Sequence, residues 1–312
     1  MTRDQVYDLI ILGGGPAGVA AAIYGVRSGL SVVLLEKALV GGRLVSVDRI
    51  DNYPGFPDGI TGPELGLLYD SHLRRFEVEV RPAQVERVSL KGSLKKIFTL
   101  DGEIKGRAVV IATGTMPKLL HVEGESDLYG RGISQCASCD AAFFKGKDVA
   151  VVGGSSSALE ETLFIARFAK KIYLVHKRAA FRAVQSLQDQ VLGLPNVEVL
   201  WNSEVQKIEG DKQVTGLLLK QEGRTERLPV EGVFVFTGRI PSTAFLGEDL
   251  DLDEKGYIIT GAEMETSLPR VYAAGDVRRT GLRQIITAAA DGAIAATAAA
   301  RSLNAAKTDP VG

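Results

Sequence analysis

Tyr7-Asp8-Leu9-Ile10-Ile11-Leu12-Gly13-Gly14-Gly15-Pro16-Ala17-Gly18 is the stretch that decides the fold. Its apolar half is short and runs straight into glycines, the pattern of a buried parallel strand and not of a leader peptide. A helix-like run follows from Val19 to Ser28, stopped by Gly29, and Val32-Val33-Leu34-Leu35-Glu36 reads as a second strand ending in an acid. Strand, glycine turn, helix and acidic strand end make a dinucleotide-binding βαβ unit. The three glycines of such a turn have separate tasks: a tight bend, close approach of backbone to a pyrophosphate, and close packing of helix on strand. The helix N-terminus adds a partial positive charge for the phosphates. Glu36 suits ribose hydroxyls and would repel a 2′-phosphate, so this unit is expected to hold FAD or NAD.

The pattern returns in Asp148-Val149-Ala150-Val151-Val152-Gly153-Gly154-Ser155-Ser156-Ser157-Ala158, followed by a helix to about Lys170 and the strand Ile172-Tyr173-Leu174-Val175-His176. Glu36 and His176 stand in register, each 23 residues beyond the first glycine of its turn, Gly13 or Gly153. Where the first unit has an acid, the second has His176-Lys177-Arg178, with Arg182 a helical turn further on. Cations at that place favour a ribose 2′-phosphate, hence NADPH; the plain alternative is a solvated basic surface. Ser155 stands where the second glycine is usual, and its Cβ would face the pyrophosphate. The hydroxyls of Ser155, Ser156 and Ser157 can donate to phosphate or cap the helix.

Between the two turns lies Cys136-Ala137-Ser138-Cys139-Asp140, which contains the only two cysteines. Thiols so spaced can close a small reversible disulfide, and an adjacent carboxylate can handle the proton such chemistry moves. A structural zinc needs four ligands, and the three histidines, His72, His121 and His176, are remote in sequence. A purely structural disulfide across so short a loop constrains the unfolded chain little.

At 312 residues the chain is long enough for two domains, and 45% hydrophobic residues can furnish both cores. A net charge of −1 leaves no footprint for nucleic acid or an anionic membrane. The alanine-rich segment Ile285 to Ala300 is interrupted by Asp291 and Gly292 and reads as a packed helix. The tail from Ala305 is expected to lack structure. Two cysteines without a disulfide framework suggest a cytoplasmic protein.

Taken in order, Gly13 to Gly18, Gly41-Gly42, Asn52-Tyr53-Pro54-Gly55-Phe56-Pro57, Ala112-Thr113-Gly114, Cys136 to Asp140, His176 to Arg182, Gly275-Asp276-Val277 and Arg283-Gln284 resemble the low-molecular-weight bacterial thioredoxin reductases, nearly end to end. The resemblance implies an α/β fold of two Rossmann-like domains, the second inserted into the first. Residues 1–115 and 246–312 would bind FAD, and residues 116–245 would bind NADPH and carry the redox disulfide. Ala112 to Pro117 and Thr237 to Pro241 would be the crossings, about which one domain rotates against the other.

By that resemblance Gly13, Gly14, Gly15, Pro16, Ala17, Gly18, Glu36 and Lys37 hold the adenine half of FAD, with Val85 near the ring. Gly42, Arg43, Asn52, Ala112 and Gly114 lie toward the flavin. Asp276 serves the ribityl or pyrophosphate region, and Arg283, Gln284 and Ile285 open a helix facing the flavin. Gly154, Ser155, Ser156, Ser157, His176, Lys177, Arg178 and Arg182 hold NADPH. Electrons would pass from NADPH through FAD to a Cys136–Cys139 disulfide and on to thioredoxin, with Cys139 facing the flavin, Cys136 attacking the partner and Asp140 moving protons. A homodimer is implied as well. Arg43 replaces a usual glutamine, Gln135 a usual tyrosine and Ala141 a usual glycine. The competing reading is a related flavin enzyme fed by ferredoxin, or one that oxidises dithiols.

Overall fold

The computed structural model describes residues 5–47, 50, 52–135, 137–221 and 223–308. Cys136 lies outside them. The chain forms two compact units, Met1–Met116 with Ile240–Gly312, and Pro117–Arg239.

The first unit opens with β1 (Val6–Leu12), α1 (Pro16–Arg27), β2 (Val32–Glu36), α2 (Gly62–Arg75), β3 (Glu79–Pro82), β4 (Val85–Ser89), β5 (Lys95–Thr99) and β6 (Gly102–Ile111). The strand β7 (Thr115–Pro117) leads out of it. The second unit holds α3 (Glu125–Leu128), β8 (Ile133–Ser134), α4 (Ala137–Asp140), β9 (Asp148–Gly153), α5 (Ser156–Ile165), β10 (Lys171–Val175), α6 (Gln185–Leu192) and β11 (Val197–Leu200). It continues through β12 (Ser203–Gly210), β13 (Val214–Gln221), β14 (Arg224–Leu228) and β15 (Gly232–Phe236). The strand β16 (Arg239–Pro241) leads back, and β17 (Val271–Ala273) and α7 (Ile285–Thr308) complete the first unit.

In the first unit β3-β2-β1-β6 are parallel neighbours, β17 pairs in parallel with the end of β6, and β4 and β5 extend β6 as an antiparallel meander. Apolar residues on both faces explain the continuous hydrophobic run of β1, in which Leu9 to Leu12 are wholly buried. One face packs on α1 and α7, the other on the meander and the segment around Leu246, Leu250 and Ile258. The second unit repeats the plan as a five-stranded parallel sheet, β11-β10-β9-β15-β8, accompanied by the antiparallel ladder β12-β13-β14.

In each sheet the first strand of the βαβ unit has neighbours reached in opposite directions: β2 and β6 around β1, β10 and β15 around β9. Such a switch point opens a crevice at the carboxyl ends of the strands. Both glycine turns sit there.

The return to the first unit falls at Ile240, ahead of the position 246 expected from sequence. Residues 240–245 are held by first-unit partners. Ser242 N–H donates to Gly114 O at 2.9 Å, Thr113 Oγ1 to Ser242 O at 2.8 Å, and Phe245 packs with Leu246 in the core. The tail also differs from expectation. Helix α7 runs to Thr308, because the alanines that build its body continue through Ala306. No helix among the described residues is long and apolar enough to cross a membrane.

Candidate active site

The first glycine turn is built by steric necessity at both ends. Gly13 has φ +104°, and a Cβ there would stand 2.5 Å from Ala112 O. A Cβ at Gly18 would stand 1.8 Å from Gly13 O, so α1 can lie on β1 only with glycine at that position. Gly15 differs. It is extended, with φ −72° and ψ −176°, and a Cβ would meet nothing nearer than Gly41 O at 4.0 Å. Among the described residues no other atom claims that space, which suits a group that approaches the turn, as a pyrophosphate does.

Glu36 is buried, and its carboxylate is held by backbone donors: Gly14 N–H at 2.6 Å and Ala38 N–H at 2.9 Å. These bonds fix the acid against the turn and leave one further lone pair on each oxygen for a ribose hydroxyl. Lys37 is exposed beside it, and Val85 is half-buried against the same core face. Gly42, with φ +56°, brings its loop onto Gly15.

Next along the crevice, Arg43 Nη1 donates to Thr115 Oγ1 at 3.2 Å and lies 3.9 Å from Asp276 Oδ2. Burial pushes the Asp276 carboxyl above its ordinary value, against the opposing pull of Arg43 and Arg283. Asn52 Nδ2 donates to Gln284 Oε1 at 3.1 Å, tying the loop before α2 to the head of α7. The Arg283 guanidinium stacks 4.2 Å from the Tyr257 ring centre, and its buried Nε has no hydrogen-bond partner among the described residues. An orphaned buried donor whose charge is felt at Asp276 fits an anionic or carbonyl-bearing group such as FAD. The Ile285 side chain packs with Leu44, Ile50 and Leu65, which leaves the backbone at the start of α7 for the helix-end role that the resemblance implies.

The second turn repeats the extended residue at the head of its helix, although Gly153, unlike Gly13, is not in the left-handed region. Ser155 is extended, φ −88° and ψ 168°, and its Oγ accepts from Ala158 N–H at 3.4 Å, capping α5. Gly154 is required by His176: a Cβ there would stand 2.2 Å from the imidazole. That ring is buried, bonds Ala180 O through Nε2 at 3.0 Å, and packs beside Phe181 and Trp201. The expectation of His176 as a phosphate-reading cation therefore meets a ring used for packing, because its Nε2 proton is already given to a carbonyl. Lys177, Arg178 and Arg182 are exposed, and among the described residues none forms an ion pair. Arg182 N–H donates to Gly154 O at 3.0 Å, which brings that arginine to the turn itself.

Around the cysteines, α4 carries Cys139, of which the backbone alone is described. Asp140 accepts a 2.6 Å bond from Ser134 Oγ. Ser134 is buried at the end of β8. Glu161, on α5, accepts from Ala137 N–H at the start of α4, while burial pushes its carboxyl above the ordinary range and neighbouring Glu160 adds to the rise. Neither Ser134 nor Glu161 was singled out in the sequence; a hydroxyl six residues before an acid is the only local trace of the first.

The pyridine nucleotide-disulphide oxidoreductase model matches residues 7–292. Thioredoxin reductase of Listeria monocytogenes is 42% identical over 298 residues, 94% of this chain and 93% of its own length. The chain belongs to the thioredoxin reductases. Among solved structures of that family, the Lactococcus lactis enzyme superposes with a TM-score of 0.81 at 36% identity, over 96% of this chain and 99% of its own. A ferredoxin-flavin thioredoxin reductase of Clostridium acetobutylicum gives 0.54 at 30%, over 96% and 98%. Membership in the thioredoxin reductase family fits the pair of glycine turns and the cysteine pair together.

Proposed function

We propose that the chain reduces the disulfide of a thioredoxin with electrons from NADPH, through FAD in the first unit and the Cys136–Cys139 pair in the second. The observation that carries this reading is the contrast between two turns that stand in sequence register. One is backed by a buried carboxylate held on backbone N–H groups, the other by three exposed cations that form no ion pair among the described residues, one of them tied to the turn. A buried acid at the ribose end excludes a 2′-phosphate, and free guanidinium groups recruit one.

Bound FAD supplies two-electron exchange between a nicotinamide and a disulfide. The chain's own residues supply the rest. Gly15 leaves room for the pyrophosphate, Glu36 takes ribose hydroxyls, and Asp276 takes a hydroxyl of the ribityl chain. Arg43 and Arg283, both acting on Asp276, would supply positive charge beside the bound flavin and so favour its reduced form. Lys177, Arg178 and Arg182 hold the 2′-phosphate. Asp140, oriented by Ser134, exchanges protons with the dithiol, since a thiolate leaving group and a returning thiol each need one. In sum NADPH, one proton and a disulfide give NADP⁺ and two thiols. The working form on this reading is a cytoplasmic homodimer, which sedimentation at micromolar concentration tests.

Anaerobic titration tests the donor. NADPH is expected to bleach the flavin absorbance stoichiometrically, and NADH at equal concentration far less. Replacing Cys139 with serine should leave that bleaching intact and abolish thioredoxin reduction. Bleaching by dithionite but not by NADPH would overturn the reading in favour of a ferredoxin-type donor.

A further inference from the structure

Asp291 on α7 is 7% exposed, and three donors converge on its carboxylate. Gly275 N–H reaches Oδ2 at 3.1 Å, Arg278 Nε reaches Oδ2 at 2.7 Å, and Arg278 Nη2 reaches Oδ1 at 3.0 Å. The arginine thus meets the acid as a two-pronged fork, and its remaining Nη1 donates to Thr260 Oγ1 at 3.2 Å and to Arg279 O at 3.4 Å. Both side chains are largely removed from solvent, 16% and 10% exposed. The residues on either side of this pair are packed to contact. Gly275 has φ +77°, and a Cβ on it would come within 3.0 Å of Ala17 Cβ; a Cβ on Gly292 would stand 2.0 Å from Ala17 O. Ala17 belongs to the first glycine turn.

The segment Asp291-Gly292 therefore touches the Gly275–Asp276 turn through a hydrogen bond and the Gly13–Gly18 turn through direct packing. We propose that Arg278 and Asp291 form a charge-neutral latch that sets the Gly275–Asp276 turn against the glycine turn and so positions the two protein edges that grip FAD. Two features make the latch more than a helix-to-strand tie. The acid accepts from the backbone N–H immediately preceding Asp276, so a shift of the pair moves that residue's main chain. The arginine, which flanks the turn, offsets a buried negative charge that acts on Asp276. Breaking one member of a buried pair leaves the other charge uncompensated, whereas removing both is close to neutral.

The inference rests on FAD binding in the first unit. Its test is a titration of flavin into apoprotein of the full chain, followed by quenching of flavin fluorescence, with apoprotein melting and the visible circular dichroism of bound flavin measured in parallel. Arg278→Gln is expected to weaken FAD roughly tenfold or more, by leaving Asp291 bare. Asp291→Asn keeps an acceptor for Gly275 N–H and should weaken it less. The double variant R278Q/D291N should return to within about threefold of wild type, because no unpaired charge remains. Altered flavin dichroism in the single variants and its recovery in the double complete the expected result. Should Arg278→Gln not fold, the same question is put to D291N, which leaves Arg278 unpaired, against R278Q/D291N, which leaves no charge: the double variant is expected to bind FAD more tightly than D291N, and equal or weaker binding would overturn the latch. Unchanged FAD affinity with lowered apoprotein melting would overturn the latch and leave a plain structural pair; wild-type apoprotein that takes up no FAD would overturn the cofactor reading beneath it.

Discussion

Ser155 and Gly15 stand at the heads of two equivalent helices in nearly one backbone conformation, and both conformations are open to any residue. The glycine at 15 is thus a matter of space and not of dihedral angle, and serine at 155 strains nothing. What Ser155 changes is the balance between helix and ligand: its hydroxyl caps α5, while its Cβ narrows the approach to the turn. Ser155→Gly is expected to cost only a few tenths of a kcal/mol in stability, since glycine is itself a fair N-cap, and to lower the Kd for NADPH. Calorimetric titration of the two proteins checks both, with FAD content unchanged. Glu161 gives a pH prediction. Its carboxyl is raised in the folded state, chiefly by burial, so its contribution to stability is full at low pH and is lost as pH rises through the folded-state value. Glu161→Gln mimics the protonated group and keeps an acceptor for Ala137 N–H. The variant should melt higher than wild type at pH 8, with the difference closing by pH 4; an equal difference at both pH values would contradict burial as the cause.

Among the elements, α1 and α7 pack in direct contact, and glycine permits it. A Cβ on Gly292 would stand 2.0 Å from Ala17 O, an atom of backbone that cannot turn aside. Gly292→Ala is therefore expected to destabilise by about 3 kcal/mol, the upper part of the range for overpacking, and to shed FAD as α1 is displaced. Urea unfolding followed by both fluorescence and flavin release measures the two effects. The elements that carry the glycine turns were legible in sequence, because strand and helix periodicity and the 23-residue spacing are local properties of the chain. Helix α7 was legible for the same reason, though not its last turns. The antiparallel ladder β12–β14 was not read, since it forms outside both nucleotide motifs and its partners are set by the fold. Side-chain roles were the least accessible. The register gave His176 the place of Glu36 but not the fact that its ring is spent on Ala180 O, and no local signal links Arg278 to Asp291 or Glu161 to Ala137. Such pairs exist only once two elements are packed.

For the whole molecule, the consequence of the topology is that the first unit is discontinuous in sequence yet complete in structure. Its parallel sheet takes β17 from the far side of the insertion, and α7 supplies a large part of the core packed on α1. The insertion leaves and returns through β7 and β16, which pair with each other as a two-stranded sheet. Paired strands lie about 5 Å apart, so Met116 and Ile240 are close enough to be joined by a short link. Each side of the junction is also closed by its own hydrogen bonds, Ser242 N–H to Gly114 O in the first unit and Lys118 N–H to Gly238 O in the second. Excising Pro117–Arg239 and joining Met116 to Ile240 through two or three Gly/Ser residues should therefore give a folded protein that binds FAD, is reduced by dithionite and is inert to NADPH. The excised segment alone, with the whole of its five-stranded sheet, should fold and bind NADPH without FAD. Circular dichroism and ligand titration of the two pieces decide the matter. A shortened protein that folds but binds no flavin would mean that the first unit's site needs residues from the insertion, and an excised piece that binds NADH as tightly as NADPH would remove Lys177, Arg178 and Arg182 from the recognition of the 2′-phosphate.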